Sequence, residues 1–281
     1  MGFRLGKEKL FSYLDLFGFG DKTGIDLSGE STGIIFPLED VKDLELATTA
    51  FGQGVSVTPI QQVTAVSSIV NGGYLLKPYV LKSILDSKTN NIILSNEKEL
   101  VRKTISENTS NILKMTLESV VANGGGKMTY IDGYRVGGKT GTAQKVENGR
   151  YLENNYIMSF MAVLPSNDPE VVLYLAIDNP KNTALLSSYT TTPFVRKILL
   201  DMISILDIEK QEDQKEKDYE WYDKKYYEVP NVVGLTKKEA KKLLTNFEIT
   251  YVGDGDIVKE QSPVADTRYY ETGTIRLYMG S

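Results

Sequence analysis

The stretch from Tyr156 to Ile177 most constrains this fold: two apolar runs, Tyr156 to Leu164 and Val171 to Ile177, flank a Pro-Ser-Asn-Asp-Pro turn at 165–169. Runs of this length bounded by turn residues predict an antiparallel hairpin. Both are apolar at nearly every position, without the alternation of a half-exposed sheet, so the strands are expected to be covered on both faces by helices. The covering helices are legible. Thr58, Pro59 and Gln61 give a hydroxyl N-cap, a proline at the first helical position and a glutamine three residues after the cap, and Asn71-Gly72-Gly73 stops that helix. A second helix is expected from Ser106, with Leu113, Leu117, Val120 and Val121 along one side, ending at Asn123 and three glycines. A third is expected from about Thr192 to Leu206. Strands and helices in this order predict an α+β class.

The chain opens on a helix-like stripe of Leu5, Leu10, Phe11, Leu14 and Phe17 with no capping signal before it, and reads as if it begins inside an element. Gly18 to Gly33, rich in Gly, Asp, Ser and Thr, is expected to form turns. From Asp207 to Glu228 the composition shifts to Glu, Lys, Asp and Gln, with Trp221 and several tyrosines, and is expected to be a solvated linker. The fifty or so residues after it form a small unit. There Thr236 and Glu239 make a capping box, Ala240, Leu243, Leu244 and Phe247 fall on one helical face, and Thr274 to Met279 alternates as a closing strand. The expected division is 1–206, a charged linker 207–227 and a small domain 228–281.

With no Cys and no His among 281 residues, the usual nitrogen and sulfur ligands of transition metals are missing, and no cofactor is expected. The same absence removes Ser-His-Asp and Cys-His catalysis, leaving lysine or a carboxylate as the proton acceptor for any acyl transfer. A net charge of −5 offers no basic footprint for nucleic acid. No apolar stretch reaches the length of a membrane span.

One string carries chemistry: Lys139-Thr140-Gly141-Thr142-Ala143, preceded by Tyr134, Val136, Gly137 and Gly138. A strand presenting Lys139 and the Thr140 hydroxyl to a crevice would offer a cation and a donor to a substrate carboxylate, and the glycines would let a substrate backbone approach closely. Taken alone, the tripeptide also fits an exposed strand with an outward lysine.

Lys-Thr-Gly together with Phe51-Gly52-Gln53-Gly54-Val55-Ser56-Val57-Thr58-Pro59-Ile60-Gln61, Asn71-Gly72-Gly73 and Lys77-Pro78 resembles class B penicillin-binding proteins in order and spacing. Val229-Pro230-Asn231-Val232-Val233-Gly234-Leu235-Thr236 and Gln261-Ser262-Pro263 resemble a PASTA module. A single copy is similar to the sporulation-specific type of the family more than to division enzymes with two.

The resemblance implies a partial β-lactamase/transpeptidase-like fold, an antiparallel sheet flanked by helices, plus a small α/β PASTA domain. It implies that Lys139 and Thr140 bind the carboxylate of a peptidoglycan stem peptide or a β-lactam. Thr142 would supply a backbone N–H to an oxyanion hole, Gly141 would keep the strand accessible, and Gln144 would line it. Cell-wall synthesis proteins are implied as further partners. An extracytoplasmic location is implied as well, with the membrane reached only through an anchor on preceding sequence.

The family's nucleophilic Ser-x-x-Lys and its Ser-x-Asn should lie well before the Gly-Gln-Gly segment. The literal matches, Ser95 to Lys98 and Ser106 to Asn108, are rejected: Ser95 sits in a polar turn, and Ser106 reads as an N-cap. The chain is therefore expected to supply the Lys-Thr-Gly wall without the nucleophilic serine. The alternatives are a non-catalytic peptidoglycan-binding or regulatory fragment acting through its PASTA unit, and a serine β-lactamase, against which the PASTA tail and the Gly-Gln-Gly segment argue.

Overall fold

The computed structural model describes residues 1–147, 150–181, 187–217, 226–271 and 273–280. Met1–Asp218 and Tyr219–Ser281 form two compact units. In the first, the chain runs α1 (Gly2–Leu5), α2 (Lys7–Leu16), α3 (Asp43–Thr49), α4 (Pro59–Val70), β1 (Tyr74–Leu76), β2 (Ser83–Leu85), β3 (Ile92–Ser95), β4 (Leu100–Lys103) and α5 (Glu107–Asn123). It continues through β5 (Gly137–Glu147), β6 (Arg150–Leu164), β7 (Val171–Asp178), α6 (Ser187–Thr190) and α7 (Thr192–Leu206). The class is α+β, as the sequence predicts.

The apolar hairpin is β6 and β7, antiparallel from Leu164↔Val171 to Ile157↔Asp178, with β5 added on the other side of β6 to give the order β5-β6-β7. Five successive residues of β6, Phe160 to Leu164, are buried, so both faces of the central strand are covered. Helix α5 lies against β5 and α7 against β6. The caps form as expected. Thr58 accepts from Gln61 N at 3.2 Å while the Gln61 side chain accepts from Thr58 N at 2.8 Å, and Ser106 accepts from Thr109 N at 3.1 Å.

Gln61 does more than cap. It is 1% exposed, and its amide donates to Asp21 O at 2.7 Å and Thr32 O at 2.9 Å, tying the glycine-rich loop to α4.

The opening stripe is not one helix. Gly6, at φ 82, ends α1 and begins α2, a conformation that costs little only for glycine. Phe11, Leu10 and Leu14 pack with Ile35, Phe36, Val41 and Leu46, while Leu5, on the far side of the break, is exposed.

The charged stretch begins as a docked segment rather than a solvated one. Ile208 is buried, Gln211 N donates to Gly133 O at 2.8 Å, and Gln214 Nε2 donates to Ile131 O and Tyr134 O at 2.8 and 2.6 Å. Gly133 N in turn donates to Gln214 Oε1 at 2.8 Å. The reason is a carboxylate on α5. Glu118, 3% exposed, accepts from the Arg135 guanidinium at 2.7–3.2 Å, from Ser166 Oγ at 3.0 Å and from Lys215 N at 3.0 Å. Arg135 also pairs with Asp213 at 2.7 Å, and the two carboxylates, Glu118 foremost, hold its guanidinium pKa above the ordinary value. Composition registers charge but not the buried partner that captures it. Residues 218–225, Trp221 among them, lie outside the described residues.

The second unit contains β8 (Tyr226–Glu228), α8 (Lys237–Leu243), β9 (Glu248–Val252), β10 (Ile257–Ser262), β11 (Arg268–Tyr270) and β12 (Thr274–Gly280). Strand β12 sits centrally, parallel to β9 and antiparallel to β10. Its alternation puts Ile275, Leu277 and Met279 into a core with Val229, Val232, Ala240, Leu244, Phe247 and Val258. The capping box forms: Glu239 N donates to Thr236 Oγ1 at 3.3 Å, and Glu239 accepts from Thr236 N at 2.9 Å. Leu243 departs from expectation. It is 51% exposed because the helix ends there and the chain turns Leu244 inward instead. Gln261, 4% exposed, stitches the unit by accepting from Val232 N at 2.8 Å and donating to Pro230 O at 3.1 Å and Pro263 O at 3.3 Å.

Candidate functional site

Lys139, Thr140, Gly141, Thr142 and Gln144 all lie on β5. Among the described residues this strand pairs only with β6 in its sheet, so its other edge has no strand partner among them. The glycines before Lys139 are demanded by packing. A Cβ on Gly137 would sit 3.1 Å from Leu117 Cβ and 3.2 Å from Ser166 Cβ. One on Gly138 would sit 2.7 Å from Met161 O and closer still to the buried Phe160 ring. Small residues here bring α5 and β6 against the strand just before Lys139. On the upstream side, the clasp of Glu118, Arg135 and Gln214 fixes residues 131–135, which lead into β5.

Along the strand Lys139 and Thr142 are exposed, while Thr140, Gly141 and Gln144 are half-buried. Lys139 Nζ donates to Thr140 O at 2.6 Å and faces solvent. A pocket in this unit is lined elsewhere, by Phe17, Lys22, Gln61, Leu75 and Arg102 among others, and no residue of β5 lines it. The described residues bring Lys139, Thr140, Gly141, Thr142 and Gln144 together along this one strand. Gly125, in the glycine loop after α5, lies against the Thr140 side chain: a Cβ there would be 3.7 Å from its hydroxyl. The pairing of β5 with β6 slips between Gln144 and Val146, where Lys145 Nζ bonds Asp178 at 2.8 Å.

One site residue was not anticipated. Ser187, the first residue of α6 and 2% exposed, donates its hydroxyl to Gly141 O and lies 2.7 Å from Thr142 Oγ1. The signal was present as the hydroxyl run Ser187-Ser188-Tyr189-Thr190-Thr191-Thr192 before Pro193, of which Thr190, Thr191 and Thr192 are buried too.

The two formal motif matches are not brought to β5. Ser95 ends β3 in a two-stranded hairpin whose residues are all exposed, and Ser106 is occupied as the cap of α5. Phe51 to Val57 connects α3 to α4, where Ser56 and Ile34 exchange backbone hydrogen bonds at 2.7 and 2.9 Å.

Comparison with known proteins accords with this geometry. A family model described as the penicillin binding protein transpeptidase domain matches residues 1–200, and one described as the PASTA domain matches residues 227–281. Stage V sporulation protein D of Bacillus subtilis (strain 168) is 50% identical over 279 residues, covering 99% of this chain and 43% of that protein. A peptidoglycan D,D-transpeptidase FtsI homolog of Mesostigma viride is 32% identical over 228 residues, covering 73% of this chain and 37% of its own length. Among solved structures, penicillin binding protein 3 of Mycobacterium tuberculosis complexed with ampicillin aligns with a TM-score of 0.68 at 25% identity, over 75% of this chain and 48% of that one. The chain spans less than half the length of each of these relatives.

Proposed function

Because the chain belongs to the penicillin-binding protein transpeptidase family and carries a PASTA domain, we propose that it contributes the Lys-Thr-Gly wall of a peptidoglycan D,D-transpeptidase site. The observation that carries this reading is the placement of Lys139, Thr140 and Thr142 on one strand whose outer edge has no strand partner among the described residues. Lys139 and the Thr140 hydroxyl grip the terminal carboxylate of a D-alanyl-D-alanine stem peptide or of a β-lactam, a charge-assisted contact stronger than a neutral one. The Thr142 backbone N–H stabilises the oxyanion as a serine attacks the penultimate D-alanine carbonyl, and Gln144 lines the strand beyond it. A single such donor is worth about 10²–10³ in rate.

The serine's proton passes to a lysine, D-alanine leaves with its amine protonated, and an amine of a neighbouring strand resolves the ester. This sequence of steps uses neither histidine nor metal, in keeping with the composition. In this reading the Ser-x-x-Lys element comes from outside these 281 residues, since Ser95 stands on an exposed hairpin. The site works on the extracytoplasmic face of the membrane, where stem peptides are cross-linked, and the likeness to a sporulation protein supports a role in that branch of wall synthesis.

A fluorescent penicillin tests this. The protein carrying both this chain and its Ser-x-x-Lys element becomes covalently labelled, Lys139→Ala abolishes the label, and residues 1–281 alone stay unlabelled. A covalent adduct on the isolated chain, at Ser95 or anywhere else, would overturn the assignment.

A further inference from the structure

We infer that Ser187 is a positioning residue for the oxyanion donor, acting through the peptide unit between Gly141 and Thr142. The inference rests on the acyl-transfer reading of β5. Its geometric half stands independently.

The carbonyl of Gly141 and the N–H of Thr142 belong to one rigid, planar peptide group and point in opposite directions. Fixing one therefore aims the other. The Ser187 hydroxyl donates to that carbonyl. Ser187 has a single hydroxyl hydrogen, so at the 2.7 Å contact with Thr142 Oγ1 it must be Thr142 that donates. The result is a directed relay: Thr142 hydroxyl to Ser187 hydroxyl to Gly141 carbonyl, whose peptide partner is the N–H of Thr142 itself. Each link polarises the next, and a carbonyl that accepts makes its own amide a better donor.

The middle of the relay is sheltered, because Ser187 is 2% exposed, and its base is anchored, because Ser187 O accepts from Thr191 N at 3.0 Å and Thr191 Oγ1 at 2.8 Å. Thr191 is itself fully buried. Helix α6 is thus pinned at one end to the buried start of α7 and at the other to the peptide group that presents the donor. Although Thr142 is an exposed residue, its hydroxyl is committed to this contact, which leaves its backbone N–H as the group it can offer to a substrate.

The test pairs a structural with a kinetic readout. In residues 1–281, Ser187→Ala moves the carbonyl carbon resonance of Gly141 and the amide proton resonance of Thr142. In the protein that also carries the Ser-x-x-Lys element, it lowers the acylation rate constant for a penicillin about ten-fold, the order expected when a reacting group is mis-aimed by a fraction of an ångström. The dissociation constant of the complex before acylation stays nearly unchanged, because Lys139 and Thr140 still hold the carboxylate. Thr142→Val, which keeps the N–H and the side-chain shape, lowers the rate less. Ser187→Cys, with a weaker donor, recovers part of the loss.

Unmoved resonances in Ser187→Ala would overturn the proposal, as would moved resonances with acylation at the unsubstituted rate. Equal losses in affinity and rate would do the same by reducing Ser187 to a packing role. If the unsubstituted protein itself takes no label, the acyl-transfer reading fails and this role with it, while the resonance shifts still report whether the relay exists.

Discussion

Replacing Glu118 by alanine tests whether the clasp that feeds chain into β5 is a buried ion pair or a solvated one. The Glu118 side chain is 4% exposed and that of Arg135 16%. The carboxylate accepts from the guanidinium, from Ser166 and from the backbone of Lys215. Truncation strips the half-buried Arg135 of its inner partner and orphans two other donors. Removing one partner of a buried pair typically costs about 3–5 kcal/mol. Asp213, 72% exposed and 2.7 Å from Arg135, remains as a second partner, so the cost falls near the lower end, about 3 kcal/mol.

For a unit of this size each kcal/mol lowers the midpoint by about 2–4 °C, which predicts a fall of about 6–12 °C in the melting of the first unit. Scanning calorimetry on the whole chain reads this, with the transition of the second unit as internal control. Hydrogen exchange adds a local readout: amides of residues 208–217 lose protection. A double replacement, Glu118→Met with Arg135→Met, regains much of the loss, since a buried pair exchanged for apolar side chains is often neutral. A midpoint shift below about 2 °C for Glu118→Ala would refute the reasoning, because a solvated pair contributes no more than about 1 kcal/mol.

Gly138→Ala drives a Cβ into the Phe160 ring and to 2.7 Å from the Met161 carbonyl; an overpacking cost of about 1–3 kcal/mol is expected in the first unit's thermal melt, and a neutral result would contradict the packing. Gln261→Ala leaves the buried N–H of Val232 without its acceptor, which should destabilise the second unit by about 1–3 kcal/mol in denaturant titration. The Thr236 hydroxyl and N–H hold the Glu239 carboxyl below its ordinary value of 4.5. A lowered folded value means the stabilisation is fully present above the unfolded pKa and is lost as pH falls through the folded one. The second unit's midpoint should therefore drop on acidification through and below that range, and Glu239→Gln should flatten the slope; identical slopes would refute the assignment.

Local chemistry made the helix caps at Thr58, Ser106 and Thr236, the hairpin of β6 and β7, and the alternation of β12 legible before any coordinates, because each depends on residues a few positions apart. The Lys-Thr-Gly string was equally visible, since its identity lies in consecutive residues. What stayed hidden depends on partners far away in sequence. Leu243 and Leu244 are both good helical core residues by pattern, and only the point where α8 ends decides that one is exposed and the other buried. Residues 208–217 read as solvent-facing from their charge, yet Glu118, about a hundred positions earlier, captures Arg135 and the backbone of Lys215 and holds the segment down.

Ser187 shows the same limit at the site. As one serine in a run of hydroxyls it carries no signature, and it gains a role only because the fold brings the start of α6 onto the Gly141 carbonyl, across 46 positions of chain. Short-range propensities and patterns were enough to say which elements form and which strand carries the Lys-Thr-Gly charge and hydroxyls. Which polar groups are desolvated, and by what they are held, emerges with the folded core, because burial is a property of the assembled chain and not of any segment of it.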